Sequence, residues 1–315
     1  MRRFVIAIVI LGILLAACFI PVVKHSETTI EASIIDVSLQ LNNAEKWKLW
    51  HIPLKQAFRA EPSGYVVLNE DSQRRFTITT PQLSYSIANP IAGNFEIEVL
   101  HKKKRWNCQL SLSVLPQTNF TKLEAETKTR LINAIFSSDN EEIGKKIGKH
   151  LKKFMETPGL YYGFPIQIKS VIDSNVAVLK KTVSSDEKFT SLPRLLKHLE
   201  QYVSKHKLQV LQPPMLQFQQ PGKDSLTIVM MLALNKPGPD ENGIKCSKMP
   251  ANGRMLVGRF IGKFVDRTQL AAAMDKFIFD KNLENLATNY EKYYSRPLPI
   301  NEESEVDLEM YYPIL

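Results

Sequence analysis

The longest uninterrupted hydrophobic stretch of the chain lies near its N-terminus. Residues 4–23 read FVIAIVILGILLAACFIPVV and contain no charged side chain. Twenty apolar residues at a helical rise of about 1.5 Å match a hydrocarbon core of about 30 Å. The pattern predicts a transmembrane anchor or signal segment. Because Arg2 and Arg3 precede it, residues 1–3 are expected on the cytoplasmic side and the rest of the chain outside the cytoplasm.

Two other interpretations of this segment remain open. LAAC at residues 15–18 has small residues ahead of a cysteine, a pattern typical of bacterial lipoproteins, in which Cys18 would carry the lipid. A cleaved secretory signal is the third possibility. All three interpretations export the body of the protein, and the first two hold it at the cell membrane.

Alternation of apolar and polar residues dominates the next part of the chain. It is clearest in CQLSLSVL (108–115), recurs in FEIEVL (95–100), and TTIEASI (28–34) reads as a first strand. The period becomes helical in SSDNEEIGKKIGKHLKKFMET (137–157). A helix with one apolar stripe buries it against a sheet. Residues 26–157 are therefore predicted to form a curved antiparallel sheet gripped by a long C-terminal helix. The stripe consists of Ile143, Ile147, Leu151, Phe154 and Met155.

The second half of the chain, residues 161–315, repeats one pattern. A strand, an amphipathic helix and two further strands occur once before the turn-rich segment 235–243 and once after it. Leu195 with Leu270 and Leu199 with Met274 share an offset of 75 residues. Duplication of a unit implies a pseudo-two-fold axis with a groove along it. The whole chain is therefore predicted to be α+β, with a duplicated β-α-β-β domain at the C-terminus.

One position breaks the repeat. Glu291 lies in the strand YEKYYS, where the first copy, PPMLQF, carries Leu216. Strand side chains alternate, so Tyr293 lies on the same face as Glu291. A carboxylate in an apolar groove is costly without a partner, and a cationic ligand would supply one. The alternative is a surface acid paired with Lys292 or Arg296.

The residues also resemble two known families. The Trp47-x-x-Trp50 pair within NNAEKWKLWHIPL, together with the closing helix, is similar to SRPBCC (START-like, polyketide-cyclase-type) helix-grip domains. This resemblance implies a hydrophobic cavity between helix and sheet, and leaves open whether the domain binds anything. GRMLVGRFIGKF, YEKY and the terminal EMYYPI resemble the GyrI-like small-molecule-binding (effector-binding) domain over residues 161–315.

The second resemblance implies a ligand site. In that family the ligand lies in the groove between the repeats, and an acid faces lipophilic cations. Carried over by position, the acid is Glu291, and aromatic rings around it would add cation–π contacts of about 0.5–2 kcal/mol each. The expected ligand is a hydrophobic or cationic small molecule. The predicted ligand-binding residues are Glu291, Tyr293, Phe218, Tyr162 and Phe264.

Charge and missing motifs limit the other functional classes. The net charge is +9, but the basic residues are spread along the chain without a helix-turn-helix pattern, so we expect no nucleic-acid partner. The sequence has no G-x-S-x-G motif and no metal-ligand spacing, so we assign no catalytic residue, metal or cofactor. It predicts a membrane-anchored extracytoplasmic small-molecule-binding protein. A hydrolase with Glu291 as general base, or a structural protein without a ligand, are the alternatives.

Overall fold

A computed structural model of the protein describes residues 20–70, 74–101, 104–130, 143–170, 175–222, 224–249 and 253–315. The chain divides after Thr157 into two compact units, and the second is Pro158–Leu315. Each unit combines an antiparallel sheet with helices, which confirms the predicted α+β class. Of the predicted N-terminal segment 4–23, residues up to Phe19 lie outside the described ranges, whereas residues 21–23 belong to the strand Pro21–Ile30, so the predicted end at Val23 is wrong. Within those ranges, no helix has the length and apolar character needed to cross a membrane.

The first unit is built on a seven-stranded antiparallel sheet in the order β1-β7-β6-β5-β4-β3-β2. Three short helices connect β1 to β2, and a longer helix follows β7. Its strands are β1 (Pro21–Ile30), β2 (Val66–Glu70), β3 (Arg75–Thr79), β4 (Leu83–Ile91), β5 (Asn94–His101), β6 (Lys104–Val114) and β7 (Thr121–Arg130). Its helices are α1 (Ile34–Asn42), α2 (Ala44–Trp50), α3 (Ile52–Ala60) and α4 (Ile143–Met155).

The helix α4 packs against the sheet through the predicted stripe. Ile147 and Leu151 are fully buried, which confirms the amphipathic helix over its described part. Two glycines on the same face allow close approach of the two backbones. A Cβ atom on Gly144 would lie 2.3 Å from the Cβ of Ala125, and one on Gly148 only 2.5 Å from the hydroxyl oxygen of Thr28. No larger residue fits at either position without moving the helix.

The prediction of a first strand at residues 28–34 is correct for Thr28–Ile30 and wrong for the residues after it. β1 ends at Ile30, and residues 34 onward form α1. Ser33 begins this helix because its hydroxyl accepts a hydrogen bond from the backbone nitrogen of Asp36 at 3.1 Å. The β-branched residues Ile34 and Ile35 favour a strand by propensity, but the cap decides the local structure.

The second unit is built on an eight-stranded antiparallel sheet in the order β12-β9-β11-β10-β14-β15-β13-β8. Its strands are β8 (Ile166–Ser170), β9 (Asn175–Ser184), β10 (Met215–Gly222), β11 (Ser225–Leu234), β12 (Ile244–Lys248), β13 (Arg254–Lys263), β14 (Tyr290–Tyr293) and β15 (Glu305–Ile314). Its helices are α5 (Pro158–Tyr161), α6 (Lys188–Lys205) and α7 (Thr268–Asp280), with a 3₁₀ turn at Phe264–Arg267 leading into α7. The sequence did not predict the two short edge strands, β8 and β12.

The duplicated order β-α-β-β is present twice, as β9-α6-β10-β11 and β13-α7-β14-β15. The copies meet at the centre of the sheet, where β10 pairs antiparallel with β14 and Leu216 lies opposite Glu291. These two residues are the equivalent positions of the 75-residue offset. Because equivalent positions face each other across the strand pair, a pseudo-two-fold axis passes between them.

Candidate functional site

The first unit contains a cavity of about 600 Å³ bounded by α3, α4 and the inner face of its sheet. Apolar and aromatic side chains form much of its wall. The apolar and aromatic lining residues are Pro53, Ala57, Ala60, Pro81, Leu83, Tyr85, Val99, Trp106 and Ile143, and the polar ones are Lys24, Gln56, Glu61, Thr80, Gln82, His101, Thr127, Thr129 and Lys146. A cavity between helix and sheet is what the helix-grip resemblance implied.

One lining residue of this cavity, Tyr85, has a buried histidine as a hydrogen-bond partner. The hydroxyl oxygen of Tyr85 lies 3.3 Å from Nε2 of His51. His51 is buried, and burial, together with the neighbouring His150, lowers its pKa to about 3. Burial also raises the pKa of Tyr85 above its ordinary value. Both rings are therefore uncharged at neutral pH, and the contact between them involves no charge.

The charged side chains of the lining have a basic bias. Lys24 and Lys146 are half-buried, whereas Glu61 is exposed. The rings of His101 and Trp106 are stacked, with centroids 6.5 Å apart and planes inclined by 27°. The cavity thus combines an apolar wall, one neutral hydrogen-bonding ring and more positive than negative charge.

Four of the five residues predicted from the sequence lie together in the second unit. Glu291 and Tyr293 point to the helix-bearing face of the sheet, beside Phe264 from the 3₁₀ turn and Phe218 from β10. Tyr293 donates a hydrogen bond to Oε2 of Glu291. The rings of Phe218 and Phe264 meet at right angles, with centroids 6.2 Å apart. Phe264 and Tyr293 are fully buried.

The acid of this cluster already has a cationic partner. Nε of Arg267 donates to Oε1 of Glu291 at 3.0 Å, and the two side chains are only 14% and 15% exposed. The predicted alternatives, Lys292 and Arg296, are not its partners: Lys292 donates to the hydroxyl of Tyr311 at 3.0 Å. The expectation that Glu291 lacks a partner is therefore wrong. Both of its oxygens accept hydrogen bonds from side chains of the same unit.

Two cations lie over the aromatic rings of the cluster. The guanidinium carbon of Arg267 is 3.6 Å from the ring centroid of Phe264 and 5.8 Å from that of Phe218. Nζ of Lys188 lies 4.3 Å from the centroid of Phe264 and forms a 3.0 Å ion pair with Glu302. Burial lowers the pKa of Lys188, Glu302 opposes this, and Arg267 adds to it. We call the set of Lys188, Phe218, Phe264, Arg267, Glu291 and Tyr293 the axial cluster.

Tyr162 is not part of the axial cluster. Its hydroxyl donates to Oδ2 of Asp280 at 3.0 Å, and its ring packs against Phe277 at a centroid distance of 5.2 Å. Asp280 and Arg267 lie at opposite ends of α7, about 20 Å apart at 1.5 Å per residue. The structure therefore brings together Glu291, Tyr293, Phe218 and Phe264, and separates Tyr162 from them.

Sequence reasoning missed Arg267 and the residues that line the first-unit cavity. Arg267 could have been found by extending the comparison of the two copies, because the 75-residue offset pairs it with Leu192. Arg267 in the second copy thus stands where the first copy has the apolar Leu192, just as Glu291 stands where the first copy has Leu216. The cavity residues come from many elements and share no spacing, so no pattern in the sequence marks them.

No protein-family model matches the sequence, and no curated protein matches it. Among solved structures, the EcmrR C-terminal domain is similar to 48% of this chain over 98% of its own length, at 16% identity and a TM-score of 0.41. An uncharacterized conserved protein from Listeria innocua covers 48% of this chain and 92% of itself, at 14% identity and 0.39. The di-domain ARO/CYC StfQ from the steffimycin biosynthetic pathway covers 93% of this chain and 85% of itself, at 9% identity and 0.31.

Proposed function

We propose that the protein binds a small, mainly apolar molecule in the cavity of its first unit. The observation that carries this proposal is the cavity, whose volume of about 600 Å³ lies in the usual range of about 300–1,000 Å³ for small-molecule sites. Apolar walls with a few polar groups are also typical of such sites. The α+β architecture supports assigning residues 26–157 to the SRPBCC-like helix-grip domains and residues 161–315 to the GyrI-like domains, whose motifs the sequence resembles.

The lining favours a neutral ligand with one polar oxygen. Tyr85 and His51 are uncharged at neutral pH, so a carbonyl or hydroxyl group can share the tyrosine hydrogen bond without a desolvated charge. Lys24 and Lys146 outnumber Glu61 in the lining. This basic bias disfavours a cationic ligand in the first-unit cavity, and leaves the expectation of a hydrophobic ligand unchanged.

The proposed location is the cell membrane, with both units outside the cytoplasm. The uncharged residues 4–23 and the preceding Arg2 and Arg3 support it. Leu11→Arg places a charge in the middle of the apolar run and should release the protein from membranes on alkaline extraction. Cys18→Ala separates the two anchored forms: loss of a lipid-sized mass would favour the lipoprotein, and an unchanged mass the uncleaved anchor.

Binding can be tested with ligands that share one chain and differ in the head group. We would titrate purified full-length protein with 1-decanol, decanoate and decyltrimethylammonium and follow tryptophan emission. Trp106 lines the cavity, whereas Trp47 and Trp50 are buried in the core. We expect 1-decanol to bind most tightly and the cation about tenfold more weakly, a difference of about 1.4 kcal/mol.

Two variants of one helix locate the binding. Ala57 lines the cavity, whereas Arg59 on the same helix is exposed and outside the lining. Ala57→Phe should narrow the cavity and weaken binding of 1-decanol, and Arg59→Phe should leave it unchanged. Tyr85→Phe should weaken binding about fivefold, the value of one hydrogen bond of about 1 kcal/mol. Equal binding by all variants would place the ligand elsewhere, and no binding at all would favour the structural alternative.

A further inference from the structure

We propose that Arg267 is a specificity-determining residue of the second unit. Its side chain occupies a site that has the contacts needed to bind an organic cation. Free organic cations are therefore excluded from this site. The site is the axial cluster, at the junction of the two copies. This inference concerns the second unit alone and does not depend on the ligand of the first-unit cavity.

The contacts of the Arg267 side chain are those that would hold a bound cation. Its guanidinium lies 3.6 Å from the centroid of the Phe264 ring, and its Nε is 3.0 Å from Oε1 of Glu291. A ring face and a carboxylate are the two groups with which proteins recognise organic cations. Both side chains of the ion pair are mostly removed from water. The guanidinium group therefore occupies the place that a ligand cation would take.

The two copies show that this cation and its acid are an addition to the fold. At the equivalent positions the first copy has Leu192 and Leu216, both fully buried. The β-α-β-β unit thus forms without either charge. The second copy carries both charges, and they are partners of each other. Glu291 without Arg267 would leave a site that a free cation could enter. With Arg267 in place, that site is already occupied.

A free cation would have to displace Arg267 against several contacts. Arg267 is also held by its Nη1, which donates to the carbonyl oxygen of Phe264 at 2.9 Å. The second oxygen of Glu291 accepts from Tyr293. Lys188 lies over the same Phe264 ring, with its Nζ at 4.3 Å, so an incoming cation would face two resident positive charges. Like charges at such distances disfavour binding.

Removing the arginine side chain should convert the closed site into an open one. We would compare full-length wild type with Arg267→Ala by calorimetry and thermal unfolding in ethylguanidinium, a free copy of the missing group. Wild type should show no saturable binding. Arg267→Ala should bind ethylguanidinium with a dissociation constant on the order of millimolar. The binding free energy would then come from one ion pair and one cation–π contact. Arg267→Ala/Glu291→Gln should bind about tenfold more weakly.

A matched control uses another arginine of the same unit. Arg259 forms a bidentate ion pair with Asp307, but its side chain is 52% exposed. Arg259→Ala should therefore create no ethylguanidinium site that depends on Glu291. Wild type should also show no binding of benzyltrimethylammonium that depends on Glu291, a test that does not use Arg267→Ala and stays decisive if that variant does not fold. Binding of this cation by wild type, with its loss in Glu291→Gln, would overturn the proposal, as would an Arg267→Ala protein that folds and ignores ethylguanidinium.

Discussion

The two copies of the second unit have different side chains at two equivalent buried positions. In the first copy, Leu192 and Leu216 are fully buried in the core between helix and sheet. In the second copy the equivalent residues are Arg267 and Glu291, which form a mostly buried ion pair. The charges thus replace the apolar residues as a matched pair. The comparison teaches that the fold accepts either pair, and that a mixed pair would leave one buried charge without a partner.

The pseudo-two-fold axis explains why the acid is present in one copy alone. Leu216 and Glu291 lie directly opposite each other on β10 and β14. Glutamates in both copies would place two carboxylates on neighbouring strands, about 5 Å apart, and like charges in that position are destabilising. A residue beside a symmetry axis has its own copy as a neighbour, so a charge there can be tolerated only if the symmetry is broken.

The largest effect should come from restoring the symmetry. Leu216→Glu places a carboxylate at a fully buried position opposite Glu291, and should lower the free energy of unfolding by about 4–5 kcal/mol. Leu216→Met, the control, should cost less than about 1.5 kcal/mol. Urea unfolding followed by circular dichroism measures both. All three tryptophans precede Thr157, so a transition absent from tryptophan emission belongs to the second unit. A cost below that of the control would show that the axis has room for two acids.

A smaller loss should follow from breaking the ion pair. Glu291→Leu leaves the Arg267 guanidinium mostly buried without its carboxylate and should cost about 3 kcal/mol, because a desolvated charge then has no partner. The control is Glu303→Leu, since Glu303 and Lys263 form an ion pair with side chains 67% and 51% exposed. Exposed pairs contribute at most about 1 kcal/mol. Equal costs for the two variants in urea unfolding would contradict the role of burial.

Exchanging both residues for those of the first copy should nearly cancel the loss. Arg267→Leu/Glu291→Leu should lie within about 1 kcal/mol of wild type, because well-packed apolar residues often replace a buried ion pair without cost. With the two single variants, the double variant closes a thermodynamic cycle and gives the coupling energy of the pair. A double variant as unstable as the sum of the single ones would mean that the two sites are independent.

The smallest effect should appear at another position where the copies differ. Lys292 is 8% exposed and corresponds to Gln217 in the first copy. Burial lowers its pKa, Lys169 acts in the same direction, and Glu309 opposes them. The unfolded state then binds more protons just below the ordinary lysine pKa of about 10.4, so stability due to this residue rises with pH in that range. Relative to Lys292→Gln, wild type should gain less than about 1 kcal/mol between about pH 8 and pH 10, measured by urea unfolding. A loss of stability over this pH range would show that the folded state favours the charged ammonium of Lys292.

The sequence predicted the regular parts of both units because their periods are strong. The stripe of α4, the helices α6 and α7 and the order β-α-β-β all follow from apolar spacing. The axial cluster was predicted only in part, because its contacts depend on a 3₁₀ turn that brings Arg267 back to a strand 24 residues further on. Tyr162 was grouped with the cluster on its aromatic character, which says nothing about the end of α7 at which a ring lies. The cavity of the first unit depends on how tightly α3 and α4 pack, and packing distance has no sequence period.

In the proposed membrane-anchored form, the start of β1 would determine the distance between the first unit and the lipid surface. β1 begins at Pro21, and Lys24, only three residues further on, already lines the cavity. A span ending where this strand begins leaves no spacer, so a tether of nearly zero length would hold the cavity wall at the headgroup layer. An apolar ligand dissolved in the bilayer would then exchange by diffusion in two dimensions rather than by dissolving first in water. The fraction of cavities that hold a ligand would then depend on the ligand concentration in the lipid. A dissociation constant measured with ligand in water would predict too low a fraction.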